Sequence, residues 1–378
     1  MSISFKKIFF SIATIFALFA ILILAKAILI PLSIALLISF ILFPLAKRLE
    51  KMRIHTVIAA FLSIFTMLFI IGGVIYFFSS QIIGLSNEFT DFKDRIILLF
   101  AEVTLFFNNN VSFVPNLEKN ELIDRIQAWI SQSTGSLVSK TVSNTATFFV
   151  GLLATFVFTF LILLYRKGFT IAFSQFAREE NRPRVRNMFK SVQQVGQKYL
   201  VGMVLLTIII GLANSIGLWI IGIENPFLFG FLGATLAIVP YIGTYLGAII
   251  PILYALMSYD SPWKAIAVGI LFWVVQLVTD NFLSPKVVGG SLKINALAAI
   301  LSLLIGAAVW GIAGMILFLP FVAMLKVVCE EFDELKPIAQ IIGNQDYKKK
   351  ENGEKSIGKM MKRLKNLSSI IQGAKKRG

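Results

Sequence analysis

Apolar residues fill this chain in long, nearly uninterrupted blocks. The first four blocks are about Ile8–Ala25, Ala27–Ala46, Val57–Ser79 and Thr147–Tyr165. They are followed by Tyr199–Gly222, Pro226–Ser258, Trp263–Leu283 and Asn295–Val328. A helix needs about 20 apolar residues to cross a bilayer. No segment shows the ten-residue alternation of a membrane barrel, and backbone polar groups in lipid must be satisfied within the segment, so every block is expected to be helical. The pattern predicts an all-α polytopic membrane protein with about eight transmembrane units.

Two blocks break this regularity. Pro226–Ser258 and Asn295–Val328 each run about 33 residues, and each is interrupted near its middle, by "VPYIGTYLGAIIP" at 239–251 and by "VWGIAG" at 309–314. Set over one another with an offset of 70, Asn225 meets Asn295 and the Pro240–Gly243 break lies over Trp310–Gly314. Span five and Trp263–Leu283 cross in opposite directions, so 199–258 and 263–328 are expected to be inverted copies. Inverted repeats with interrupted helices characterise secondary transporters, whose sites lie at the breaks. The central breaks favour two broken or re-entrant helical hairpins over two long kinked spans.

Composition narrows the reading. The chain has 378 residues, 57% of them hydrophobic and only 15% charged, with a mean hydropathy of +0.81. The net charge of +16 is explained by basic residues gathering in cytoplasmic loops, and no aromatic-plus-basic module points to nucleic acid. The 166–198 loop carries eight Lys/Arg against two Glu, and the tail after Cys329 adds twelve. The 81–146 segment has five basic and seven acidic residues. Both termini are therefore expected in the cytoplasm and 81–146 outside. Lys6 and Lys7 before an apolar run imitate a signal peptide, but the run is too long and lacks a small-residue cleavage site, which predicts an uncleaved pair of spans.

This divides the chain into a scaffold of three spans (1–80), an extracytoplasmic segment with two amphipathic stretches (81–146), and a fourth span with a basic amphipathic helix (147–198). The inverted-repeat unit (199–328) and a basic cytoplasmic tail (329–378) follow. Within 178–198, Val185, Met188, Phe189, Val192 and Val195 form the apolar face.

The motifs "VPYIGTYLGAIIP" and "DNFLSPKVVGGSLKINALAAILSLLIGAAVWGIAGMILFLPFVAMLKVV", with "KYLVGM" opening span five, resemble the autoinducer-2 exporter-like family of bacterial permeases. The resemblance covers nearly the whole chain. It implies an eight-span inner-membrane protein forming homo-oligomers, linked to export of a small furanone-type signal or to sodium(lithium)/proton exchange. Thr244 and Ala296 stand where the family often has proline.

Ionisable groups inside a membrane are costly, so each needs a reason. Asp280 and Asn281 close span seven, and Asp280 is a candidate to accept a proton or ligate a cation with Gln276 and Thr279, or else to pair with Lys286. At the first break, Pro240, Gly243 and Gly247 would free carbonyls while Tyr241, Thr244 and Tyr245 supply hydroxyls, a set suited to a cation or a polar solute. Trp310, Gly311 and Gly314 form the second break. Asn214 lies mid-span, either bonding a neighbouring helix or lining the path. Asn225 and Asn295 are expected helix caps.

The remaining chemistry is exclusion. A lone Cys329 permits no intrachain disulfide or thiolate cluster, and a lone His55 at a membrane edge anchors no metal site. No phosphate-binding loop, HExxH, GxSxG or Ser/His/Asp set occurs, so neither ATP drive within the chain nor hydrolysis is expected, and no cofactor is implied. The sequence predicts a secondary transporter. A non-transporting scaffold and a passive pore are the competing readings. Membrane lipids and a small-molecule or ion substrate are the expected partners.

Overall fold

The computed structural model describes residues 5–86, 119–240, 242–259, 261–289 and 292–344. Tyr241, the first amphipathic stretch of the outer segment and the basic tail beyond Asn344 lie outside the described residues. Helices α1 (Phe5–Leu24) and α2 (Lys26–Lys51) are separated by Ala25 alone, and α3 (Thr56–Ser86) follows a turn at Arg53. The second amphipathic stretch is continuous from Lys119 with the fourth span in α4 (Lys119–Gln175), because no proline or glycine pair intervenes to stop the ladder.

Helix α5 (Arg182–Ile221) runs unbroken for 40 residues, about 60 Å, from the basic loop through the fifth apolar block. Its first part docks on the bundle: Met188 is buried, and Val192 and Val195 pack with Leu37 of α2 and with Leu317 and Met324. Gly222 ends the helix in a left-handed conformation (φ 78°), with the Ile223 amide donating to the Leu218 carbonyl at 3.0 Å. Then come α6 (Pro226–Leu236), α7 (Ile242–Ser258), α8 (Pro262–Val278), α9 (Ala296–Glu331) and α10 (Lys336–Ile342).

Beyond α8 the chain continues in two widened turns, Thr279–Leu283 and Pro285–Gly289. Pro285 has no amide to give the ladder, and its ring crowds the carbonyl four residues back. Side chains take up neighbouring ladder carbonyls: Thr279 Oγ1 donates to Val275 and Asn281 Nδ2 to Leu277.

Six helical segments among the described residues are long and apolar enough to cross a membrane. Of the eight expected units, the first is the 20-residue α1 and the sixth is divided between α6 and α7. Three clusters bury the remainder. Leu42, Ala46, Ala60, Ile64 and Leu163 join α2, α3 and α4. The Leu37–Leu317–Met324 cluster joins α2, α5 and α9, and a larger one around Leu218, Phe229, Tyr254 and Phe272 joins α5 to α8. Buried hydroxyls are satisfied within their own helices, as Ser63, Thr159 and Ser215 each donate to the carbonyl four residues back.

Candidate transport site

Helices α6 and α7 form a helical hairpin whose two ends meet. The Glu224 amide donates to the Tyr259 hydroxyl at 2.9 Å, Lys264 Nζ donates to the Gly222 carbonyl at 3.1 Å, and Lys264 also sits 3.5 Å from the Tyr259 ring centre. The base of this hairpin therefore lies at the C-terminal end of α5. Asn225 does not cap α6. Its backbone is left-handed (φ 51°) and Pro226 supplies the first helical residue, so the expected side-chain cap is absent.

Small residues let the two arms touch. A Cβ at Gly247 would lie 2.9 Å from Gly233 Cα, and one at Gly243 only 1.6 Å from the Leu236 carbonyl oxygen. The turn itself is tied by the Val239 amide to Leu236 (2.9 Å) and the Gly243 amide to Val239 (3.0 Å). Pro240 and Thr244 are half-buried there, and Tyr245 is 70% exposed.

Helix α9 folds back on itself. Gly306 and Gly314 would be about 12 Å apart along a straight helix. Here a Cβ on Gly314 would meet the Gly306 carbonyl oxygen at 1.9 Å. The reversal falls at Gly311 (φ 61°, ψ −137°), in a region that only glycine enters without strain. Trp310 anchors the turn by donating Nε1–H to the Leu22 carbonyl of α1 at 2.9 Å and by packing edge-on to Phe318.

The ends of this second hairpin also meet. Asn295 Oδ1 accepts from the Ala298 amide at 2.8 Å, which caps α9 as expected. Its Nδ2 donates to the Ile341 and Gly343 carbonyls (2.6 and 3.3 Å), and its amide donates to Ile342 (2.9 Å). At the other end of α9, Arg184 of α5 pairs with Glu331 at 3.1 Å. The base of this hairpin therefore lies at the N-terminal end of α5. Lys336 pairs with Asp333, and that hydrogen bond and charge hold the Asp333 carboxyl below the usual carboxylate range.

The other candidate residues separate by environment. Gln276 Nε2 donates to Asp280 Oδ1 at 2.9 Å, and Asp280 and Asn281 are exposed while Thr279 is buried. Asp280 takes Gln276 as its partner rather than Lys286, and no hydrogen bond or ion pair among the described residues joins it to either hairpin turn. Asn214 is 2% exposed, between Gly211 and Ser215, which touch α6 at Phe231 and Gly230. Its Oδ1 is buried without a hydrogen-bond partner, so the expected bond to a neighbouring helix is not made through this oxygen.

Two charged pairs were not anticipated. Arg166 of α4 pairs with Glu50 at the end of α2, both largely buried. Lys326, 7% exposed inside the second arm of α9, pairs with Glu330 at 2.9 Å. The signal for Lys326 was present: it is the only charge within "FLPFVAMLKVVC", and an isolated charge in an apolar run needs a partner.

Two helical hairpins, based at opposite ends of one long helix and each with an interrupted turn, define an all-helical multi-pass membrane protein of the permease class. Sequence comparison gives the lineage: residues 9–334 match the AI-2E family transporter profile, and the chain belongs to that family. It is 27% identical over 317 residues to YrrI of Bacillus subtilis (strain 168), provisionally named a transport protein, covering 81% of this chain and 87% of that one. It is 23% identical over 329 residues to the AI-2 transport protein TqsA of Escherichia coli (strain K12), covering 85% and 90%.

Proposed function

We propose that this protein is a secondary transporter that moves a small polar solute, of the kind named for the relative TqsA, across a bacterial inner membrane. The 199–328 unit carries the path. Its two hairpins enter from opposite faces, as an inverted pair, and both termini are cytoplasmic. Transport proceeds by alternating access of this unit against the first four spans.

The observation that carries the reading is the position of the two hairpin bases, one at each end of α5. An interrupted turn held at membrane depth is tolerated where it lines a cavity, which gives each turn a place beside a solute. Pro240, Gly243, Thr244 and Tyr245 line the first turn and Trp310, Gly311 and Gly314 the second. Tyr241 belongs to the same stretch of sequence. Gln276 of α8 and Thr279, Asp280 and Asn281 in the widened turn after it form a polar cluster, with Asp280 as the group that couples movement to a proton or sodium gradient.

Flux into proteoliposomes tests this directly. A furanone-type signal is expected to accumulate, and Asp280→Asn is expected to abolish its gradient dependence while leaving folded protein. Uptake of sodium or lithium against protons, with no signal flux, would replace the proposed substrate with an ion. Absence of any flux in folded protein would sink the transporter reading.

Asn214 supplies a second test. A buried acceptor without a partner costs about 1–3 kcal/mol. Asn214→Leu is therefore expected to raise thermal stability or leave it unchanged, while lowering flux several-fold. Wild-type flux in Asn214→Leu would remove this residue from the path.

A further inference from the structure

One concave feature plays no part in the transport reading. Phe43, Pro44, Lys47, Arg48 and Lys51 follow helical spacing along one face of α2, and with Gln197 of α5 they line a cavity of about 270 Å³. Three of the six carry positive charge. The acidic residue in the same turn, Glu50, is taken up elsewhere: it pairs with Arg166 of α4 and lies 4.0 Å from Lys167. No ion pair among the described residues engages Lys47, Arg48 or Lys51.

We propose that this cavity binds the phosphodiester headgroup of an anionic membrane lipid. An arginine fork matches phosphate oxygens two at a time, and the two lysines add point charges. The Gln197 amide offers a further donor. Phe43 and Pro44 are half-buried one turn earlier along α2, whereas Lys47, Arg48 and Lys51 are exposed, so the lining is apolar at one end and basic at the other. That polarity fits a phosphate whose glycerol and acyl roots continue along an apolar span, whereas a free phosphate ion has no use for the apolar end. Basic pockets between membrane helices on the cytoplasmic side are suited to such headgroups. The position of these charges at the end of α2 suits the helix dipole, but the dipole does not account for a concavity completed by a second helix.

The test uses the full chain in nanodiscs with phosphatidylglycerol as the probe, and retained lipid is counted by native mass spectrometry. The triple variant Lys47→Gln, Arg48→Gln, Lys51→Gln is expected to retain the lipid roughly a hundredfold less well. A control triple, Arg178→Gln, Arg186→Gln, Lys190→Gln, removes the same charge from exposed positions near and on α5 and is expected to retain it. Should the pocket triple fail to fold, Arg48→Gln alone is expected to give a partial loss. Equal loss from the pocket and control variants, or no loss from either, would overturn the site. Inorganic phosphate displacing the lipid at equal concentration would overturn the lipid assignment in favour of a soluble ion. The readout is binding, so it stands whether or not flux is found.

Discussion

Gly314→Ala and Gly243→Ala are each expected to deplete folded protein, measured as loss of the monodisperse peak in detergent and a fall in thermal midpoint. The added methyl would sit 1.9 Å from the Gly306 carbonyl oxygen in the first case and 1.6 Å from that of Leu236 in the second. Both obstacles are backbone, so no side-chain rotation relieves them, and the arms of the hairpin must separate. Overpacking of well-packed sites costs about 1–3 kcal/mol and more where backbone must move, so these changes belong at or beyond the upper end. Gly72→Ala and Gly73→Ala in α3 provide the contrast. Nothing lies within 4 Å of a Cβ at either position, and alanine is favoured over glycine in a helix by about 1 kcal/mol. They are expected to be neutral or mildly stabilising. Equal tolerance at all four positions would mean that neither hairpin closes its arms on these glycines.

Asn295→Ala is expected to open the base of the second hairpin. The side chain caps α9 through Oδ1 and holds the Ile341 and Gly343 carbonyls through Nδ2, so alanine removes both functions at once. Loss of a cap costs about 1 kcal/mol and each further hydrogen bond about as much, giving an expected total near 2–3 kcal/mol. Asn295→Ser separates the two roles, since serine accepts from the Ala298 amide but does not reach the strap. It is expected to recover roughly the cap's share, about 1 kcal/mol. Thermal unfolding reads the total, and limited proteolysis after Glu331 reads the release of α10. Alanine and serine behaving alike would show that the cap contributes nothing, and serine matching the wild type would show the same of the Nδ2 contacts to Ile341 and Gly343.

Much of the two-hairpin region was legible in residue patterns. Two apolar blocks too long for one crossing, each with glycine near its centre, were enough to expect hairpins, and both bend where proline or glycine interrupts the ladder. The cap at Asn295 followed from its place before an apolar run. The cap at Asn225 did not form because Pro226 already fixes the first turn and the preceding backbone turns left-handed. Gly243 illustrates the limit of pattern. From sequence it is a residue that frees a carbonyl at the break, whereas against the Leu236 carbonyl it is a point of closest packing.

The chemistry was less legible. Asp280 was conspicuous as a charge at the end of an apolar block, yet its partner is a glutamine on its own helix. Asn214 was an ordinary mid-span polar residue until its surroundings showed an acceptor with nothing to accept from. The Glu50–Arg166 pair joins residues 116 positions apart, and no local pattern reports a contact at that separation. It is this pairing that leaves the basic face of α2 without a counter-charge.

The sequence by itself determined that the chain lives in a membrane as helices, because hydropathy and backbone hydrogen bonding act on each segment separately. It also located the interruptions, since proline and glycine act on their own backbone. Only the tertiary structure decided that each interrupted block returns to the end of α5 where it began. That outcome depends on glycine-to-backbone contacts between residues 8 and 14 positions apart and on side chains such as Tyr259 and Asn295 closing the bases. Chain reversal is a property of what two arms can touch, and no single segment carries it.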